Sequence, residues 1–251
     1  MRLKERIPAP LRSWLRSGRG LSRRASVVLN GVTDWSVLRR LKPYRPDFGF
    51  HYGKPIDRYY IEHFLAAHTE LIRGRVAEIG DDKYARLLGG GRVERCDIID
   101  IDESNKKRTI SLDLAQTASA PGNLFDCILC IQTLFEIFDH SAAIASLYKM
   151  LKPGGVLLAT VPGICQRVPA PMLGGGGDWW RYTADSASHL FAACFGQANV
   201  EISTYGNVLV TIAFLHGLVE RELTRDELDF HDPDYEVLIA VKAVKNGVKV
   251  A

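Results

Sequence analysis

The period of the apolar residues changes near Pro55. Ile61, Phe64 and Leu65 recur at helical spacing in a segment from Ile56 to about Leu71, behind a proline suited to a first helical turn and ahead of Gly74. Short apolar runs of strand length follow at residues 75–80, 93–99, 109–113, 125–131 and 156–161. Between the last two, Ile144, Leu147, Tyr148 and Leu151 return to the helical period, and Pro153-Gly154-Gly155 is expected to end that helix. Beyond a Gly-rich stretch at 174–177, the pattern predicts a helix near 185–195, a strand at 200–205, a helix around 207–223 and a last strand at 235–243. Strands alternating with helices require crossover connections. They therefore predict an α/β fold on a largely parallel sheet, covered on both faces.

In such sheets a ligand sits outside the carboxyl ends of the strands. The residues expected there are Glu78, Gly80, Asp81 and Asp82 after the first strand, then Asp97, Asp100 and Asp102, then Asp113, then Gln132 and Thr133. Carboxylates at successive strand ends can accept hydrogen bonds from ribose hydroxyls and an adenine amine, which points to a nucleoside-bearing cofactor and calls for no metal.

Residues 76–80 (VAEIG), 93–97 (VERCD), 125–134 (FDCILCIQTL) and 150–162 (MLKPGGVLLATVP) resemble, in order and spacing, the motifs of class I S-adenosylmethionine-dependent methyltransferases. Residues 48–65, 177–183 (GDWWRYT) and 205–217 resemble more narrowly a bacterial branch often found beside glycosyltransferases. The resemblance implies a Rossmann-like, doubly wound, mostly parallel seven-stranded sheet with helices on both faces and an antiparallel last strand. It implies S-adenosylmethionine as cofactor, with Glu78 and Gly80 lining its methionine side, Asp97 taking the ribose hydroxyls, Asp113 near the adenine amine and Gln132 beneath the reacting methyl. Asp57, Arg58 and Tyr59 would close over the amino-acid end, with Arg58 matching its carboxylate. One departure is plain: the family's E-x-G-x-G-x-G reads here Glu78-Ile79-Gly80-Asp81-Asp82-Lys83-Tyr84, so the loop after the first strand takes another path.

Composition narrows the class without naming it. With 47% hydrophobic and 24% charged residues in 251, the chain has the makeup of a soluble globular protein, and no apolar stretch reaches the ~18 residues of a membrane-spanning helix. The five scattered cysteines argue against a disulfide framework and for a cytoplasmic setting. The net charge of +3 hides an asymmetry: residues 1–45 carry twelve Lys/Arg against Glu5 and Asp34, a balance of +10, leaving −7 on the rest. The expected organisation is thus a basic arm, 1–45, before a methyltransferase-like domain, 46–251. Leu11, Trp14 and Leu15 among the arginines suit a short amphipathic helix on an anionic membrane surface, so the arm reads either as a peripheral membrane attachment or as a solvated extension. Nucleic acid is the less favoured partner, because the body is acidic and shows no interleaved aromatic and basic residues.

For the acceptor, the segment after the Gly-rich stretch gathers Asp178, Trp179, Arg181 and Tyr182, which suit stacking and hydrogen bonding to a sugar or other polar molecule. Methylating a hydroxyl needs a base, for which Asp178 and His216 are the candidates. A core role competes for His216, as it does for the tryptophans. Cys127 and Cys130 have C-x-x-C spacing, but three residues apart on a strand they face opposite ways and are expected to pack in the core. The alternative to a glycan-directed O-methyltransferase is a catalytically silent scaffold of the same fold. A nicotinamide oxidoreductase would need a G-x-G-x-x-G fingerprint that the chain lacks.

Overall fold

A computed structural model describes residues 39–169, 172–173 and 176–247. The chain divides into two compact units, 1–42 and 43–251. Of the first, only 39–42 are described, all exposed. The amphipathic segment expected near Leu11–Leu15 lies outside the described residues, as do Gly174 and Gly175 of the Gly-rich stretch.

In the second unit, α1 (Ile56–Ala66) precedes β1 (Gly74–Ile79), β2 (Val93–Asp100), β3 (Ile110–Ser111) and β4 (Phe125–Ile131). Then come α2 (His140–Met150), β5 (Leu151–Pro162), α3 (Ala184–Phe195), β6 (Val200–Tyr205), α4 (Val208–Leu215), α5 (Arg225–Asp229) and β7 (Leu238–Val244). The seven strands form one sheet in the order β3-β2-β1-β4-β5-β7-β6. The first five pair in parallel, and β7 runs antiparallel between β5 and β6. This is the Rossmann-like arrangement expected from the sequence, and its order reverses between β1 and β4, the place where sheets of this kind take ligands.

Alternate residues of each strand feed two cores. Val76, Cys127, Leu129 and Leu158 pack with Ile56, Tyr60 and Phe64 of α1 on one face. Ala77, Ile128, Cys130 and Leu157 pack with Ile144 and Leu147 of α2 and Phe191 of α3 on the other. Cys127 and Cys130 therefore lie on opposite faces, buried and free.

Three boundaries differ from expectation. Pro153-Gly154-Gly155 does not end α2, which stops at Met150; it loops out within β5, where the pairing jumps from Leu151 opposite Phe125 to Val156 opposite Cys127. The third strand shrinks to two residues, because Thr109 and Asp113 are drawn into side-chain bonds at either end. The helix expected over 207–223 ends at Leu215, where Gly217 turns at φ +69°.

Candidate active site

A cleft lies past the carboxyl ends of β4 and β5, and three chain segments supply its charged and amide side chains. After β4, Gln132 adopts φ +49°, a left-handed backbone uncommon outside glycine, and its amide donates to the carbonyl (3.0 Å) and Oγ1 (3.2 Å) of Thr160 on β5. The following tight turn, Leu134–Glu136, buries Leu134 and Phe135 and leaves Glu136 facing the cleft. From the other side, the first turn of α1 brings Asp57, whose Oδ1 accepts the Arg58 amide (2.8 Å), and Arg58 itself. The third segment, 178–182, is stitched down by its amides: Trp179 donates to the Phe135 carbonyl (3.0 Å) and Tyr182 to that of Pro162 (2.9 Å). Arg181 thereby reaches the same cleft.

The cleft measures about 160 Å³, below the ~300–1,000 Å³ of a pocket enclosing a whole ligand, so it takes the reacting end of one and leaves the rest along the sheet rim. Phe48, Phe50, Phe135 and Phe214 supply aromatic walls among Asp57, Arg58, Gln132, Glu136 and Arg181.

Its carboxylates differ in kind. The Asp178 side chain is 1% exposed and fully engaged, accepting the Val168 amide (2.8 Å) and two bonds from Arg181 (2.5 and 2.9 Å). Burial alone would raise its pKa, but Arg181 and the amide outweigh burial and hold it below the usual carboxylate range. Glu136, by contrast, accepts no side-chain hydrogen bond among the described residues, and burial, aided by the nearby Asp178 charge, pushes it up to about 7. Asp57 is also raised by burial, against the pull of Arg58. Cys165, at the cleft wall, is pushed up by burial to about 11 and stays a thiol at neutral pH.

Along the rim, Gly80 follows β1 at φ +81°, exposed, with no atom within 4 Å of where a Cβ would stand. That open ground over a strand end lets a ligand approach the backbone. Beside it Asp100 ends β2, and Asn105 Nδ2 ties the Asp100 carboxylate (2.7 Å) to the Gly80 carbonyl (2.9 Å). Asp113 is half-buried past β3, with Oδ1 accepting the Ala115 amide (2.9 Å).

Several expected site residues stand elsewhere. Asp97 lies within β2, fully buried, its carboxylate taken by Arg75 Nε (2.8 Å), Arg95 Nη2 (2.8 Å) and Thr109 Oγ1 (3.2 Å); the strand runs on past it to Asp100. Glu78 turns inward and accepts the amides of Tyr84 (3.1 Å) and Ala85 (2.8 Å), so it shapes the loop after β1. Tyr59 points away from the cleft, to Asp229 (2.5 Å). Asp178 meets the cleft only through Arg181. Tyr182 is a core residue whose hydroxyl donates to the Leu134 carbonyl (3.3 Å), and Trp179 packs outside against Phe138 (5.2 Å). His216 caps α4 next to Tyr44 (5.3 Å between rings) and does not line the cleft; its buried Nδ1 has no partner among the described residues.

Of the expected residues, the cleft thus unites Arg58, Gln132 and Arg181, with Asp57. Glu136 is not among the strand-end residues, which stop at Thr133; its signal in the sequence is the run Leu134-Phe135-Glu136 directly after β4. Among the described residues no three His, Cys, Asp or Glu side chains converge as metal ligands.

A family model described as a methyltransferase domain matches residues 61–197. No curated protein sequence matches the chain significantly. Among solved structures, a candidate sarcosine dimethylglycine methyltransferase from Galdieria sulphuraria superposes with a TM-score of 0.50 at 14% identity, over 78% of this chain and 91% of that one. The N-methyltransferase NodS from Bradyrhizobium japonicum, solved with S-adenosyl-L-homocysteine, gives 0.46 at 16% identity, over 80% and 93%. At such identities the likeness is one of fold.

Proposed function

The chain belongs to the methyltransferase domain family, and on that premise we propose that it uses its cofactor, S-adenosylmethionine, to methylate a hydroxyl oxygen of a sugar or glycan precursor. When bound, the cofactor supplies an electrophilic methyl group on a sulfonium sulfur. The residues present fit it. Asp100, in place of Asp97, offers a carboxylate at the end of β2 for ribose hydroxyls, Asp113 offers a second past β3, and Gly80 leaves the approach open. Arg58 holds only a loose ion pair with Asp57 (3.8 Å) and has donors to spare for an α-carboxylate. Gln132 stands in the cleft where the two halves meet.

The observation that carries the reading is Glu136. As a hydroxyl oxygen bonds to the methyl carbon, its O–H bond must break, and the proton needs an acceptor within hydrogen-bond reach. Glu136 is a carboxylate in the cleft with no hydrogen-bond partner among the described residues and a pKa of about 7, near the optimum for a base at neutral pH. Asp178, held ionised by Arg181, keeps that pKa high and does not itself compete for the proton. Phenylalanine walls beside Arg58, Gln132 and Arg181 suit a sugar, which stacks an apolar ring face and hydrogen-bonds at its edges.

The test is transfer of an isotopically labelled methyl from S-adenosylmethionine to a panel of free, nucleotide-linked and lipid-linked sugars, read by mass spectrometry. A methyl ether product on a sugar is expected. Product only on amines would move the acceptor class, and absence of both product and cofactor binding would leave a silent scaffold.

A further inference from the structure

Helix α4 (VLVTIAFL) has an apolar side to spare. It buries Val210, Ala213 and Phe214, yet leaves Val208, Leu209 and Leu215 exposed at 47, 45 and 38%, with Ile212 half-buried among them. A helix apolar on all sides is normally enclosed on all sides. Beside its last turn the segment 44–52 is fixed in place: the Arg45 amide donates to the His216 carbonyl (3.1 Å), and Gly49 packs so close that a Cβ there would lie 2.5 Å from the Gly217 carbonyl oxygen. That segment presents Tyr44, Phe50 and Tyr52 at 52, 43 and 51% exposure, with the Arg45 guanidinium over the Tyr52 ring at 4.3 Å. Aliphatic side chains next to exposed aromatic rings and a cation are the components of a surface that sits at a lipid–water boundary.

The chain reaches this place from its most basic part, residues 1–45, with a net charge of +10. We propose that α4 and residues 44–52 form a face that seats on an anionic lipid bilayer, inserting Val208, Leu209 and Leu215 while the positive charge of residues 1–45 selects the headgroups. A second copy is the weaker occupant, because a self-contact through the apolar stripe leaves the +10 of residues 1–45 without a role. RNA would use the charge and leave the aliphatic stripe in water. Phe50 belongs both to this face and to the cleft wall, so a protein seated in this way opens its cleft at headgroup level. The inference does not depend on what the cleft methylates.

The experiment is co-sedimentation of the full chain with phosphatidylcholine vesicles with and without phosphatidylglycerol, at low and high salt. Binding is expected only with the anionic lipid and should weaken as salt rises. Leu209→Gln with Leu215→Gln should lower vesicle affinity by about tenfold or more, from the lost insertion of two leucines. Replacing Arg12, Arg16, Arg19 and Arg23 by Gln in the full chain should lower it at least as much. Both leucines stand at the surface, 45 and 38% exposed, so the melting temperature should change little; Val208→Ser with Tyr52→Ser gives the same test should the leucine pair fold poorly. Unchanged binding by both apolar variants would overturn the proposal. So would a wild-type dimer that the leucine variant converts to monomer, or equal binding to neutral vesicles.

Discussion

The two halves of the sheet's carboxyl rim use their acids in opposite ways. On the β1–β2 side Glu78 and Asp97 are deeply buried and hydrogen-bonded within the fold, Glu78 by the Tyr84 and Ala85 amides and Asp97 by Arg75, Arg95 and Thr109. On the β4 side Glu136 sits in a cleft with its carboxylate unclaimed among the described residues. A carboxylate already satisfied by the fold stabilises a loop or a strand; one that the fold leaves open has capacity for a ligand or a proton. Strand-end position selects both kinds equally, so deep burial combined with hydrogen bonds inside the fold is what marks a structural acid here; Asp100, bonded to the Asp102 amide and Asn105, stays partly exposed.

The largest expected effect tests the open acid. Glu136→Gln keeps the shape of the side chain and removes its ability to take a proton, so turnover on an active sugar acceptor should fall by about 10²–10⁴-fold while cofactor affinity stays within a few-fold. Steady-state kinetics with calorimetry checks both, and a variant with full turnover would place the base elsewhere. In the wild type, turnover should rise with pH through about 7 as Glu136 ionises.

A smaller effect is expected where the two kinds of acid touch. Asp178→Asn removes the charge that helps hold the Glu136 pKa up, so the rising limb of the pH–rate profile should move to lower pH. The same change leaves Arg181 and the Val168 amide without a charged acceptor, for a stability loss of about 1.5–3 kcal/mol by denaturant titration. A lost fold-stabilising bond with no movement of the limb would separate Asp178 from the chemistry.

The smallest effect concerns Glu78. Burial raises its carboxyl from an ordinary 4.5 to about 7, so the folded chain holds that proton more tightly than the unfolded one. Its contribution to stability is therefore present below about 4.5 and is lost as pH rises through about 7. Relative to wild type, Glu78→Gln should show a flatter dependence of unfolding free energy on pH across that window, and an unchanged slope would mean that the two amides hold Glu78 ionised throughout.

The fold was readable because periodicity is a local property. The strands at 125–131 and 200–205 fall where their apolar runs lie, and the order of alternation implied the parallel sheet. Local signals misled at Pro153-Gly154-Gly155, a stop sequence that tertiary pairing absorbs into β5. The site was readable only in outline. That Asp97 is spent depends on Arg75, 22 residues earlier on the neighbouring strand, and that Asp178 is spent depends on the Val168 amide and on the turn that brings Arg181 back to it. His216 looked like a base in an apolar helix, yet α4 ends before it and points it toward Tyr44. Pairings of this sort lie in the tertiary structure and leave no mark on spacing.

The comparison rests most directly on which acid of β2 holds the ribose, and calorimetric titration with S-adenosylhomocysteine of the wild type, Asp100→Ala and Asp97→Ala decides it. The account predicts one saturable site in the wild type, a loss of about 1.5–3 kcal/mol of affinity in Asp100→Ala from a missing charged hydrogen bond, and near-native affinity in Asp97→Ala with a lowered melting temperature. No saturable binding by the wild type, or a loss of affinity confined to Asp97→Ala with its fold intact, would contradict it.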